Sequence, residues 1–243
     1  MSTPILRVIS EYCNIYVDDI NLQQLAEEDK PLYARRMWGY FKPAISLFTL
    51  PAQMPIYLMG TPANPKLIEP IYGSFQYVVE NEMTSDFSIE LNESGIGYEL
   101  FSCRVREVDD FGNVIMLPTS NVKYDSETGI VTFYASPENP ILKGTTYDMD
   151  FYTDGYFIEN LTSEIMNILG LCFQVVWLTR FMNDWLSMVS KVEDKSFFEQ
   201  NRANKMKANI EQVQYAETTK NQAMRRLEQN LVQRKTLPFG SFI

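Results

Sequence analysis

Apolar positions change their spacing several times along this chain, and each change predicts a different kind of element. From Asp29 the pattern is helical: Asp29 can accept from the free amides of a first turn, and Pro31 suits that turn. Leu32, Tyr33, Met37, Tyr40 and Phe41 follow at near-helical spacing, until Pro43, which should kink or end the helix. An earlier helix is expected over 17–27, where Ile20, Leu22 and Leu25 are apolar and Asp18 and Asp19 sit at the favourable amino end. Five of the twelve prolines then fall between Pro51 and Pro70, a density that excludes regular helix and central strand alike. Apolar Met54, Ile56, Tyr57, Leu58 and Met59 in this stretch predict an extended strap lying on a surface, of this subunit or of a neighbour.

Over 72–158 the spacing shortens to two, in short aromatic and β-branched runs separated by turn signals. Two hairpins are predicted. In one, 101–108 and 114–117 flank DDFGN, where Gly112 or Asn113 can take positive φ; in the other, 121–124 and 130–134 flank DSETG, with Gly129 ending the turn. A strand over 146–153 alternates Tyr147, Met149 and Phe151 on one face with Asp148, Asp150 and Tyr152 on the other, its aspartates toward solvent. A small antiparallel sandwich of about six to eight strands fits these signals.

From Asn160 the helical spacing returns, with Thr162 or Ser163 as the cap. The run from Ile165 to Val189, with Phe173, Trp177, Phe181 and Trp185, is apolar almost all round and predicts a helix buried on every side. A second helix follows Lys195. Its best seam is Met206, Ile210, Val213, Met224, Leu227 and Leu231 in alternating steps of four and three, with Glu217 and Lys220 in the middle positions. A helix of 36 residues there would extend about 54 Å. Because the seam is only partly apolar, a long arm packed along a partner is favoured over a free two-stranded coil, with an antiparallel hairpin against the preceding helix as the other possibility. The segment Leu237–Ile243 (LPFGSFI) is apolar, and each large side chain would contribute about 1.5–3 kcal/mol if buried. It either docks on another subunit or folds back on its own core. The candidate partner-binding residues are therefore the six seam residues with Leu237, Pro238, Phe239, Phe242 and Ile243.

The expected class is α+β: helices and a proline-rich strap over 1–71, an inserted antiparallel β-sandwich over 72–158, and a buried helix, long arm and apolar tail over 159–243. With 243 residues, 45% hydrophobic, the chain can bury a real core, and it contains no histidine at all. That absence argues against much acid–base catalysis and most zinc chemistry. Cys13, Cys103 and Cys172 lie far apart without metal or redox spacing and read as buried thiols. No secretion signal is seen in 1–7, and the apolar run 165–179, interrupted by Asn167 and Gln174, is too short and too polar to span a bilayer. The sequons at Asn92 and Asn160 carry no weight without a secretory context.

Net charge, −10 in all, is unevenly distributed. Residues 72–159 hold sixteen acids against four bases, whereas 193–235 hold six against nine. Such polarity suits complementary contacts between copies or with a partner, and a solvated acidic face would look the same. Asp148, Asp150, Asp154 and Glu159 suggest calcium ligands, but Gly155 is misplaced for the EF-hand turn, and a solvated strand face is the better reading. Asp109 with Asp110, and Glu80 with Glu82, sit at turns or strand ends where acids are ordinary, so a glycosidase pair is not expected. Lys205, Lys207, Arg225, Arg226, Arg234 and Lys235 are interspersed with Glu211, Glu217 and Glu228, as on a solubilised helix rather than a nucleic-acid stripe. No nucleotide loop or nucleophile elbow is present, so no catalytic residue, cofactor site or metal site is assigned.

The order of helical base, proline-rich strap, inserted sandwich, returning helix and long arm resembles the head-to-tail connector and neck (adaptor) proteins of tailed bacteriophages. The local run Tyr147–Gly155 (YDMDFYTDG), leading into 161–169 and Trp177, looks like phage virion proteins of this kind. The resemblance implies a non-enzymatic virion component assembled in the host cytoplasm. It would form a ring, commonly twelve-fold or six-fold, between portal and tail proteins, with DNA passing through and no membrane insertion. A net negative charge is compatible with such passage, since attraction to phosphates would retard it. A different class of function is a carbohydrate- or host-binding sandwich of a tail or baseplate, using exposed aromatics such as Tyr98, Phe101 or Tyr134.

Overall fold

A computed structural model describes residues 2–17, 19–90, 98–108, 111–189 and 198–233, apart from the side chains of 181–189, 198–206 and 233. In chain order the elements are β1 (Thr3–Pro4), α1 (Ile5–Val8) running into a π-helical turn (Ile9–Cys13) and a 3-10 turn (Asn14–Tyr16), α2 (Ile20–Glu28), α3 (Lys30–Ser46) and α4 (Met54–Met59). Strands β2 (Gly60–Thr61), β3 (Asn64–Pro65), β4 (Leu67–Ile68), β5 (Ile71–Val78), β6 (Phe87–Glu90), β7 (Leu100–Val108), β8 (Val114–Pro118), β9 (Val122–Asp125), β10 (Ile130–Phe133), β11 (Thr146–Thr153) and β12 (Tyr156–Phe157) come next. Helices α5 (Ser163–Val189) and α6 (Phe198–Gln233) follow. The chain is α+β, and among the described residues no helix is long and apolar enough to cross a membrane.

Two compact units divide these elements: Asp19–Arg36 with Pro70–Asp154, and the remainder. The first unit is a sandwich of two antiparallel sheets, β5-β11-β7-β8 and β6-β10-β9. Between them lie Val79, Cys103, Val131, Phe133, Ile141, Tyr147, Met149 and Phe151, all buried. Alternation builds this core. Tyr147, Met149 and Phe151 project from one face of β11, and Val131 and Phe133 project from β10. The turns form as their chemistry dictates: Gly112 has φ 81° and Gly129 φ 72°, and Asp125 accepts from the Glu127 amide and the Thr128 hydroxyl.

On its other face β11 carries Asp148 and Asp150, and the sequence-based expectation that both face solvent is wrong: Asp150 is 3% exposed. The helical segment Asp19–Arg36 belongs to this unit rather than to the helical one, and from it Asp29 and Arg35 reach that face. Helix α2 starts one turn later than expected, capped by the Asp19 carboxylate on the amides of Asn21 and Leu22.

The second unit is built from three separated stretches of chain. Strand β12 pairs with both β1 and β4, and Thr3 locks the junction: its hydroxyl donates to the Glu159 carbonyl and accepts from the Leu161 amide. Glu159 also holds Lys66 at 2.6 Å. The proline-rich stretch is not wholly extended, because α4 forms there with Pro55 in its first turn, where a missing amide costs nothing. Met54, Tyr57 and Leu58 are buried along it. Pro43 does not end α3, which continues three residues further. Helix α5, capped by the Thr162 hydroxyl on the Ile165 amide, is the buried centre of this unit. A Cβ on Gly170 would stand 2.5 Å from the Tyr12 carbonyl oxygen, so only glycine lets the amino-terminal turn approach so closely.

Candidate functional site

Helices α5 and α6 form an antiparallel hairpin. Glu164 at the start of α5 accepts from Asn230 near the end of α6, and Gln174 and Leu178 line a groove with Ala208, Glu211, Gln212 and Tyr215. The groove is open and encloses about 720 Å³. Of the two arrangements expected, the antiparallel hairpin with the preceding helix is present: α6 has the predicted 36 residues, and part of its apolar face is used within the chain. Met224 and Leu227 are buried, Ile210, Val213 and Leu231 are half-buried, and Met206 lies in α6 with its side chain outside the described set. Leu237, Pro238, Phe239, Phe242 and Ile243 lie outside the described residues altogether. The buried stripe passes through Ala216 rather than Glu217, and Lys220 is sunk to 8% exposure. A small residue at 216 was the available signal, since closely packed helices need one where their backbones approach.

The sandwich unit holds a polar cluster that local sequence does not announce. Arg104 Nη2 lies 2.5 Å from Asp150 Oδ2 and 3.1 Å from Asp29 Oδ2. Asp29 Oδ1 accepts from Ser102 at 2.6 Å and from the Leu32 amide at 3.1 Å, so one carboxylate both caps α3 and ties it to β7. Tyr72 donates to Asp150 Oδ1, with the Arg35 guanidinium 4.3 Å over its ring. Burial, reinforced by the bond to Asp150, holds the Tyr72 phenol above its ordinary range. Asp150 is thus held by Arg104 and Tyr72, and Asp29 by Arg104, Ser102 and the first turn of α3. In sequence Asp29 read only as a cap, and its strand partners lie more than seventy residues away.

The four acids considered as calcium ligands are spread over separate partners. Asp148 pairs with Arg106, Asp150 with Arg104 and Glu159 with Lys66, and the Asp154 amide donates to Glu99. Among the described residues no group of histidine, cysteine or acidic side chains is gathered to hold a metal ion. Asp109 and Asp110 lie outside the described residues, while Glu80 and Glu82 are exposed just beyond β5. Tyr98 and Phe101, expected as an exposed aromatic platform, instead pack on Phe151 at 5.0 and 5.3 Å; only Tyr134 is exposed. Lys207, Arg225 and Arg226 are exposed on α6 among acidic neighbours.

Burial pushes the Cys103 and Cys172 thiols up to about 12, with Asp148 adding to the first and the Lys220 ammonium opposing the second; Cys13 is raised further. At neutral pH all three stay protonated and are poor nucleophiles. Unfolded thiols ionise near 9.0, so the stability that these groups contribute is fully present below pH 9 and is lost as pH rises from 9 towards 12. Denaturant titrations from about pH 8 to pH 10 should show stability falling above pH 9, less steeply for Cys172→Ala. A flat profile would contradict the assignment. Comparison with family models and with curated proteins finds no match.

Proposed function

We propose that the protein is a non-enzymatic structural component of a tailed-phage virion, forming a cyclic homo-oligomer, twelve-fold or six-fold, in the head-to-tail connector between portal and tail. The observation that supports this reading most is the combination of an acidic sandwich unit with a long, mildly basic α6 that leads into LPFGSFI. A closed ring needs two different surfaces that complement each other, and opposite charge balance on two parts of one chain supplies that kind of complementarity. Because part of the α6 seam is used within the chain, the segment 237–243 carries the attachment in this reading, and the cis-packed helix serves as its base. The net charge of −10 suits a conduit for DNA, which a basic lining would retain. The carbohydrate-binding alternative is disfavoured, because Tyr98 and Phe101 are turned against Phe151.

Light scattering and negative-stain micrographs of the purified chain test this directly. A ring of defined symmetry is expected, and deletion of 236–243 should reduce it to folded monomers with unchanged circular dichroism. A monomeric parent at high concentration, or unfolding on deletion, would count against the reading.

A further inference from the structure

The four-stranded sheet has its charges in the wrong place for an isolated sheet. Edge strands ordinarily carry charges, while inner strands are apolar. Here the inner strands β7 and β11 carry Arg104, Arg106, Glu107, Asp148 and Asp150, whereas the edge strands β5 (IYGSFQYV) and β8 (VIMLP) carry none. Ile71, Phe75 and Val78 are exposed on β5, and Val114, Ile115 and Leu117 on β8.

The hydrogen-bonding phase of each edge follows from its flanks. The Thr119 amide donates to Cys103 in continuation of the β7–β8 register, so antiparallel alternation turns Ile115 and Leu117 toward β7 and leaves the Val114 and Met116 amides pointing outward. The Val79 amide donates to Thr145 in continuation of the β5–β11 register, which leaves Tyr72, Ser74, Gln76 and Val78 outward on β5. Four antiparallel strands put the two edges in opposite directions, so β8 of one copy laid beside β5 of the next continues the ladder without a reversal. Val78 and Met116 also stand at the same level of the sheet: Val78 is directly opposite Thr146, and Met116 is opposite Arg106, which is itself opposite Thr146.

We propose that the β8 edge of one subunit pairs with the β5 edge of a second copy of this chain, so that neighbouring sandwiches share one continuous antiparallel sheet. The pairing is head-to-tail, as a ring requires, and it matches uncharged edge to uncharged edge. It rests on the homo-oligomeric reading above and names the surfaces that would join.

The full-length chain tests it by sedimentation equilibrium. Met116→Lys and Val78→Glu should each weaken self-association at least tenfold while leaving circular dichroism and the denaturation midpoint in place, and the two together should restore it. Met116→Pro, which removes only an outward amide, is the second variant should a charge disturb the fold, and it too should abolish association. The pairing is overturned if both single variants associate like the parent. It is equally overturned if Met116→Lys impairs association and Val78→Glu does not, the result for β8 pairing with itself. A parent chain that assembles through 236–243 but ignores both edge substitutions sinks the edge pairing alone, and a monomeric parent sinks the oligomeric reading with it.

Discussion

Replacing Arg104 by methionine is expected to destabilise the sandwich unit by about 3–5 kcal/mol. The guanidinium lies between two carboxylates whose side chains are 1% and 5% exposed, Asp29 and Asp150. Methionine keeps the aliphatic stem and removes the cation, so two buried negative charges are left facing one another with no compensating partner. Adding Asp29→Asn and Asp150→Asn should recover a substantial part of the loss, because neutral amides of the same shape do not repel. Urea denaturation of the three variants reads this directly. A single Arg104→Met variant within about 1 kcal/mol of the parent would show that the cluster is as weak as an exposed ion pair.

Phe133→Ala is expected to cost a similar amount, about 3–5 kcal/mol, by a different route. Phe133 is fully buried, stacks on Phe87 with centroids 4.6 Å apart, and meets Tyr147 and Tyr77 at 4.9 and 5.4 Å. Its removal opens a cavity between two sheets whose backbones are fixed by their ladders and cannot close in. Phe133→Leu, which refills most of the volume, should lose clearly less. Equal losses for alanine and leucine, measured by denaturant unfolding, would mean that aromatic stacking rather than filled volume holds the two sheets together.

Much of the local structure was legible in the sequence because it depends on nearest neighbours. The alternation over 146–153, the two glycine turns, the Asp29 cap and the 36-residue length of α6 are all written within a few residues of where they act. Other features depend on what the chain brings in from afar. Asp150 sits on a strand that reads as half-solvated, and nothing near it in sequence announces that Asp29 and Arg104 will close over it. Proline density argued against helix at 54–59, but the penalty applies to helix interiors, and Pro55 falls in a first turn. The seam of α6 is legible, but not which helix covers it: a partly apolar stripe with Lys220 in the middle argues against a free two-stranded coil, and lysine buries its stem against a neighbouring helix in the same chain as readily as against a partner. The edge chemistry of β5 and β8 was hidden for the same reason, since a strand's place in a sheet is not written in the strand.

The three-part construction of the helical unit has a consequence for how the protein is made. Thr3 finds its partners at separations of 156 and 158 residues, and Ile5, Val8 and Ile9, fully buried at the end, have no α5 to pack on until Ile165 and its neighbours exist. At about 5–20 residues per second on the ribosome, these greasy side chains wait roughly 10–30 s, while the unit ending at Asp154 already has all of its strands. The sandwich unit therefore has all of its strands available before the segment around Ile5 meets the helix it packs on.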